Sequence, residues 1–128
     1  MNYKKFEELP CWAKARELCL VIKHLINQED FRRDFGLRDQ IWRAAGSVMD
    51  NIAEGFDDGS TREFVGFLGY SQRSCSELQS QLYRALDSKY LSQNEFEKAY
   101  AIASQCRKQI KGFRKYGSSG KWIPDGLT

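Results

Sequence analysis

Between Pro10 and Pro124 more than a hundred residues pass without a proline. Proline removes a backbone donor and clashes with the preceding helical turn, so its absence permits long helices throughout. Within that stretch apolar residues return at spacings of three and four, the period of an α-helix and not of a strand.

Four segments carry the pattern. The first, about 9–28, places Trp12, Ala15, Cys19, Ile22 and Ile26 on one stripe, widened by Leu18, Val21 and Leu25. Pro10 suits its first turn, where an amide N–H would have no partner. Residues 28–36, QEDFRRDFG, break the period and read as a connection, with Phe31 and Phe35 tucked beneath the bundle end. The second helix spans 37–56, with Gly36 and Gly55 read as its stops. The third spans 60–88, opened by a Ser60/Glu63 capping box and continued by Phe64, Leu68, Ser71, Cys75, Leu78, Leu82 and Ala85 in a near-heptad seam. A second box, Ser92/Glu95, opens the fourth helix, 92–116, through Phe96, Ala99, Ala103, Cys106, Ile110 and Phe113. Residues 117–128 hold three glycines and Pro124 and read as a flexible tail, with Trp122 and Ile123 able to dock it. Four amphipathic helices with short links predict one domain, 1–128, of the all-α class: an antiparallel up-down-up-down four-helix bundle.

The second helix carries more than one apolar row. Leu37, Ile41, Ala44, Val48 and Ile52 make the primary seam, and Trp42, Ala45, Met49 and Phe56 make another beside it. One seam packs a helix into its own bundle, so the other is expected to meet a second subunit; the alternative is one wide core holding both. Gln40, Arg43, Ser47, Asn51 and Glu54 share a polar shoulder, expected to bond to a neighbouring helix or subunit.

Catalysis finds little support. The one histidine, His24, has Val21 where a di-iron bundle would place the glutamate of Glu-x-x-His. No glycine loop for phosphate and no Ser/His/Asp or Cys/His set is present. Glu54, Asp57 and Asp58 lack the spacing of a calcium loop and read as helix-end solvation. The four cysteines form no CxxC pair, and Cys19, Cys75 and Cys106 fall in apolar stripes as small hydrophobes. The expectation is a protein that is not an enzyme, with no catalytic residues, metal or cofactor. No apolar run suits a membrane helix, and the opening MNYKKFEELP lacks a secretory core, which places the expected compartment in the cytoplasm.

Charge is uneven. Residues 92–128 hold seven basic side chains (Lys98, Arg107, Lys108, Lys111, Arg114, Lys115, Lys121) against Glu95, Glu97 and Asp125, a net +4. The remaining 13 basic and 14 acidic residues, all within 1–91, give −1. From Ser104 to Lys121 there are six basic residues, no acidic one, and Phe113 and Tyr116 interleaved. Arg107, Lys108, Lys111, Arg114, Lys115 and Lys121 are therefore the candidate contacts to the phosphates of RNA or DNA. The competing reading is a structural or adaptor oligomer that binds a protein.

Gly36-Leu37-x-x-Gln40-x-x-Arg43-Ala44-Ala45, followed by Ser47-Val48-x-x-Asn51-Ile52-Ala53-Glu54-Gly55, resembles the four-helix bundle proteins encoded in 23S rRNA intervening sequences, once classed among ribosomal proteins. Trp12 and Ala15, Phe64-x-x-Phe67-Leu68 and Ser74-x-x-Glu77-Leu78 extend the likeness over about residues 6–115. Arg73 and Met49-Asp50 depart from the family's usual residues. The resemblance implies a homopentamer. It also implies a distant kinship with the accessory protein of diversity-generating retroelements, a basic pentamer that binds nucleic acid and the reverse transcriptase.

Overall fold

A computed structural model describes residues 3–118. They form a 3₁₀ turn, Phe6–Glu8, and the helices α1 (Pro10–Ile26), α2 (Glu29–Arg33), α3 (Phe35–Asp57), α4 (Thr61–Asp87) and α5 (Gln93–Ser118). The described residues contain no strand. The long helices pack in the cyclic order α1, α3, α4, α5, each chiefly against two neighbours. Cross-helix contacts show that every neighbouring pair runs antiparallel. Cys19 meets Ala45 while Lys23, one turn later, lies over Trp42, one turn earlier. Ser47 meets Ser74 while Gln40 meets Arg84. Cys11 meets Cys106 while Gln28 meets Glu95.

The connection between the first two long helices holds an additional helical turn. In α2, Arg33 pairs with Glu29 at 2.8 Å across one turn. Phe31 is fully buried and stacks on Tyr90 with ring centroids 5.3 Å apart. Phe35 does not join it: it is 65% exposed, with the Arg38 guanidinium over its ring. Asp34 intervenes as the cap of α3, its Oδ1 accepting from the Leu37 N–H at 3.1 Å and its Oδ2 from the Tyr90 hydroxyl at 2.9 Å. Those two bonds, the backbone one first, hold its carboxyl below the usual aspartate value.

Neither expected glycine stop is one. Gly36 lies in the first turn of α3, and the helix runs past Gly55 to Asp57. Gly55 is instead a point of contact, since a Cβ there would stand 2.5 Å from the Cβ of Phe67 on α4. The chain turns at Gly59, whose φ of 101° suits a residue without a side chain. Ser60 Oγ then accepts from the Glu63 N–H and opens α4. At the other end, Lys89 (φ 62°) occupies the left-handed position of a Schellman closure, with Tyr90 N–H bonded to Ala85 O and Lys89 N–H to Leu86 O. The capping box at α5 is reciprocal: Ser92 Oγ accepts from Glu95 N–H, and Glu95 accepts from Ser92 N–H. Gln28 also donates to Glu95, and these bonds hold the Glu95 carboxyl low.

The core has two continuous parts. Ile22, Phe31, Ile41, Leu82 and Phe96 belong to the part near the α2 end, and Leu9, Val48, Phe56, Phe64 and Ile110 to the other. All four cysteines are buried and free. Burial pushes the Cys11 thiol up to about 12 and, as the leading cause, that of Cys19 up to about 11. Cys106 is raised by its hydrogen bond with Cys75 and by burial.

Candidate nucleic-acid interface

The α4/α5 contacts follow one register along the whole pair. Arg114 donates to Gln72 Oε1 at 3.3 Å and brings its guanidinium against Gly69, where a Cβ would sit 3.0 Å from Nη2. Arg107 donates to Ser76 Oγ at 3.3 Å. Gln79, buried at the seam, donates to Ser104 Oγ at 2.8 Å and to the Tyr100 carbonyl at 3.4 Å. Beyond it the rings of Tyr83 and Tyr100 meet at 5.6 Å.

Seven-residue steps keep one face of a helix in view, which is why Tyr100, Arg107 and Arg114 align along α5. Arg107, Lys108 and Lys111 line one wall of a groove of about 500 Å³, with Gln72, Ser76 and Ser104 completing it. Every lining residue is polar or basic, so positive charge converges there without a carboxylate among the lining groups. Arg114 stands one turn beyond Lys111, and Lys115 is exposed beside it. Lys121 lies outside the described residues, as do Trp122 and Ile123. Phe113 is half-buried against the core and meets the ring of Tyr3, whereas Tyr116 is exposed.

The second apolar row of α3 is mostly internal. Ala45 and Phe56 are buried in the subunit's own core, and Met49 packs against both parts of it. The expectation of a whole free seam is corrected accordingly: α3 is flanked by α1 and α4, and together they cover a wider arc than one seam. Trp42 alone of the row is exposed, at 40%, with Lys23 Nζ 5.0 Å from its ring centre. It lines an α1/α3 groove of about 650 Å³ together with Cys19, Gly46 and Met49.

The polar shoulder of α3 meets α4. Ser47 Oγ and Ser74 Oγ are 2.8 Å apart, and Asn51 Nδ2 donates to Ser47 Oγ at 2.9 Å and to its carbonyl at 2.8 Å. Arg84 donates to Gln40 Oε1 at 3.0 Å. Arg43 and Glu54 are exposed, and Arg43 lines a groove with Glu77, Gln81 and Arg84. Buried Ser71 donates to the Val48 carbonyl at 2.8 Å, tying the same two helices.

Residues 7–112 match the model of a family described as "23S rRNA-intervening sequence protein". The chain belongs to that family. The matched span runs from before α1 into α5 and includes Arg107, Lys108 and Lys111, while Arg114 and Lys115 lie just beyond it. Among solved structures, a protein of unknown function from the S23 ribosomal protein family of Bacteroides thetaiotaomicron VPI-5482 is similar, with a TM-score of 0.75 and 18% identity. The likeness covers 82% of this chain and 95% of that one, and at this identity it speaks to the fold. No curated protein sequence matches the chain. Among the described residues of this 23S rRNA-intervening sequence family member, no helix is long and apolar enough to cross a membrane.

Charge counting along the last helix reaches one wall of the groove and misses the other. Gln72, Ser76 and Gly69 carry no compositional signal, and only the α4/α5 register places them opposite the cations. The seven-residue step from Arg114 to Arg107 to Tyr100 was the available clue.

Proposed function

We propose that this protein is a non-enzymatic, homo-oligomeric bundle that binds RNA or DNA through the α4/α5 groove. The observation that carries the reading is the convergence of Arg107, Lys108 and Lys111 on a groove with polar, uncharged residues opposite, extended by Arg114. Two of these cations donate to neutral acceptors, Ser76 and Gln72, so a phosphate gains a cation without displacing a carboxylate. Such contacts give affinity with little sequence reading. The non-enzymatic part rests on the sequence, where His24 has no catalytic partner at suitable spacing.

Self-association is supported by the open α1/α3 groove, where Trp42 remains exposed, and by Leu20, which stands out elsewhere on α1 at 64% exposure. A pentamer is the state the family resemblance favours, and a ring would present the basic groove several times and bind multivalently.

Electrophoretic mobility shift with structured RNA and duplex DNA across a salt series tests the binding. Affinity is expected to fall with salt by a logarithmic slope of about 0.9 per phosphate contacted. A triple variant, Arg107→Gln, Lys111→Gln and Arg114→Gln, with helicity checked by circular dichroism, should lower that slope by about 2–3. No binding at about 50 mM salt, or equal binding by the variant, would overturn the reading and leave the adaptor oligomer. Light scattering on the native particle tests assembly separately, and a monomer would refute it.

A further inference from the structure

The register that lines up the cations continues past them into aromatic rings. Seven residues before Arg107, about 10 Å along the axis, α5 presents Tyr100. Seven residues after Ser76, α4 presents Tyr83 beside it. Tyr83 remains 50% exposed although its ring is braced from beneath, by Phe96 at 4.8 Å and Tyr100 at 5.6 Å. Phe96 is itself in the core, and it meets Tyr100 at 5.4 Å, so the three rings form one fixed cluster at the end of the basic row. Glu97, one turn before Tyr100, accepts from Gln93 Nε2 at 3.2 Å.

A site for duplexes needs cations only, because the base faces of a duplex are already stacked on one another. Unpaired strands offer both phosphates and free base faces, and an exposed aromatic ring beside a row of cations complements both. A tyrosine whose ring is already braced loses little freedom when a base settles on it.

We infer that the α4/α5 face takes single-stranded nucleic acid, its phosphates along Arg107, Lys108, Lys111 and Arg114 and a base stacked on Tyr83. This rests on the nucleic-acid reading above and narrows it to unpaired strands.

The test compares fluorescence anisotropy of an unstructured oligouridylate with that of a perfect duplex carrying the same number of phosphates. The proteins are the full chain, Tyr83→Leu, which keeps an apolar side chain on Phe96, and Tyr83→Phe, which keeps the ring. Single strands should bind more tightly than duplex. Tyr83→Leu should weaken single-strand binding roughly five- to 160-fold with an unchanged salt slope, while Tyr83→Phe retains it. Equal single-strand binding by Tyr83→Leu and the parent, or duplex bound as tightly as single strand, would overturn the inference. If duplex binds as tightly as single strand and the Arg107/Lys111/Arg114 variant loses both, the broader reading stands and this one alone fails. If neither nucleic acid binds the parent chain, both fail.

Discussion

At Gly55 two residue-scale effects oppose each other. In a helix interior alanine outranks glycine by about 1 kcal/mol, because glycine surrenders more backbone freedom. Here, however, the added methyl would stand 2.5 Å from Phe67 Cβ and 3.2 Å from a ring carbon of Phe64. Phe67 Cβ is fixed to the α4 backbone and cannot swing aside, so steric cost outweighs propensity. Gly55→Ala should lower stability by about 1–3 kcal/mol, read as a lower urea midpoint at unchanged slope. Gly66, in the interior of α4, is the control, since nothing lies within 4 Å of its missing Cβ. Gly66→Ala should raise stability by about 0.5–1 kcal/mol. If both substitutions were stabilising, the close α3/α4 approach at Gly55 would be wrong.

At the scale of elements, the ends of α3 and α5 depend on two carboxylates. Asp34 accepts from Leu37 and Tyr90, and Glu95 from Gln28 and Ser92, so each holds its proton less tightly when folded than its ordinary value of 3.8 or 4.5. Glu63, raised by its hydrogen bond with Asp58, works the other way, whereas at Asp34 and Glu95 the unfolded chain binds more protons in this range. Each contribution is complete above those ordinary values and disappears as pH falls through the lower folded ones. Urea midpoints should hold steady from neutral pH down to about 5 and then fall, first through Glu95 and then Asp34. The pair Asp34→Asn and Glu95→Gln should flatten part of that acid slope, and an unaltered slope would show these caps to be energetically idle. Helix existence was legible because a period of 3.6 is repeated over several turns in each segment. The edges were less so: glycine at Gly36 and Gly55 signals either a stop or a close contact, and local sequence does not distinguish them. Asp34, an ordinary capping residue before an apolar run, was the better signal for where α3 begins.

On the scale of the whole molecule, each long helix closes against two neighbours, so what a row of side chains faces depends on helices distant in sequence. That is why Ala45 and Phe56 look like a free seam on α3 taken alone, and why α5 taken alone carries no trace of the α4 wall of the basic groove. The bundle and the cations of α5 follow from periodicity and charge, whereas the pairing of Arg107 with Ser76 and of Tyr100 with Tyr83 follows from an interhelical register that no single segment encodes. The closed arrangement also bears on the four thiols, contributed by α1, α4 and α5: Cys11, Cys75 and Cys106 are fully enclosed, whereas Cys19 lines the α1/α3 groove and is 9% exposed. A native-state labelling experiment with a small disulfide reagent should modify Cys11, Cys75 and Cys106 slowly and nearly together, at a rate that rises with urea in proportion to the unfolded population, and Cys19 ahead of them. Rapid labelling of Cys11, Cys75 or Cys106 in the absence of denaturant would show that its helix opens alone. Thiol chemistry thereby becomes a report on folding: three of the four sulfurs meet solvent only when the bundle opens.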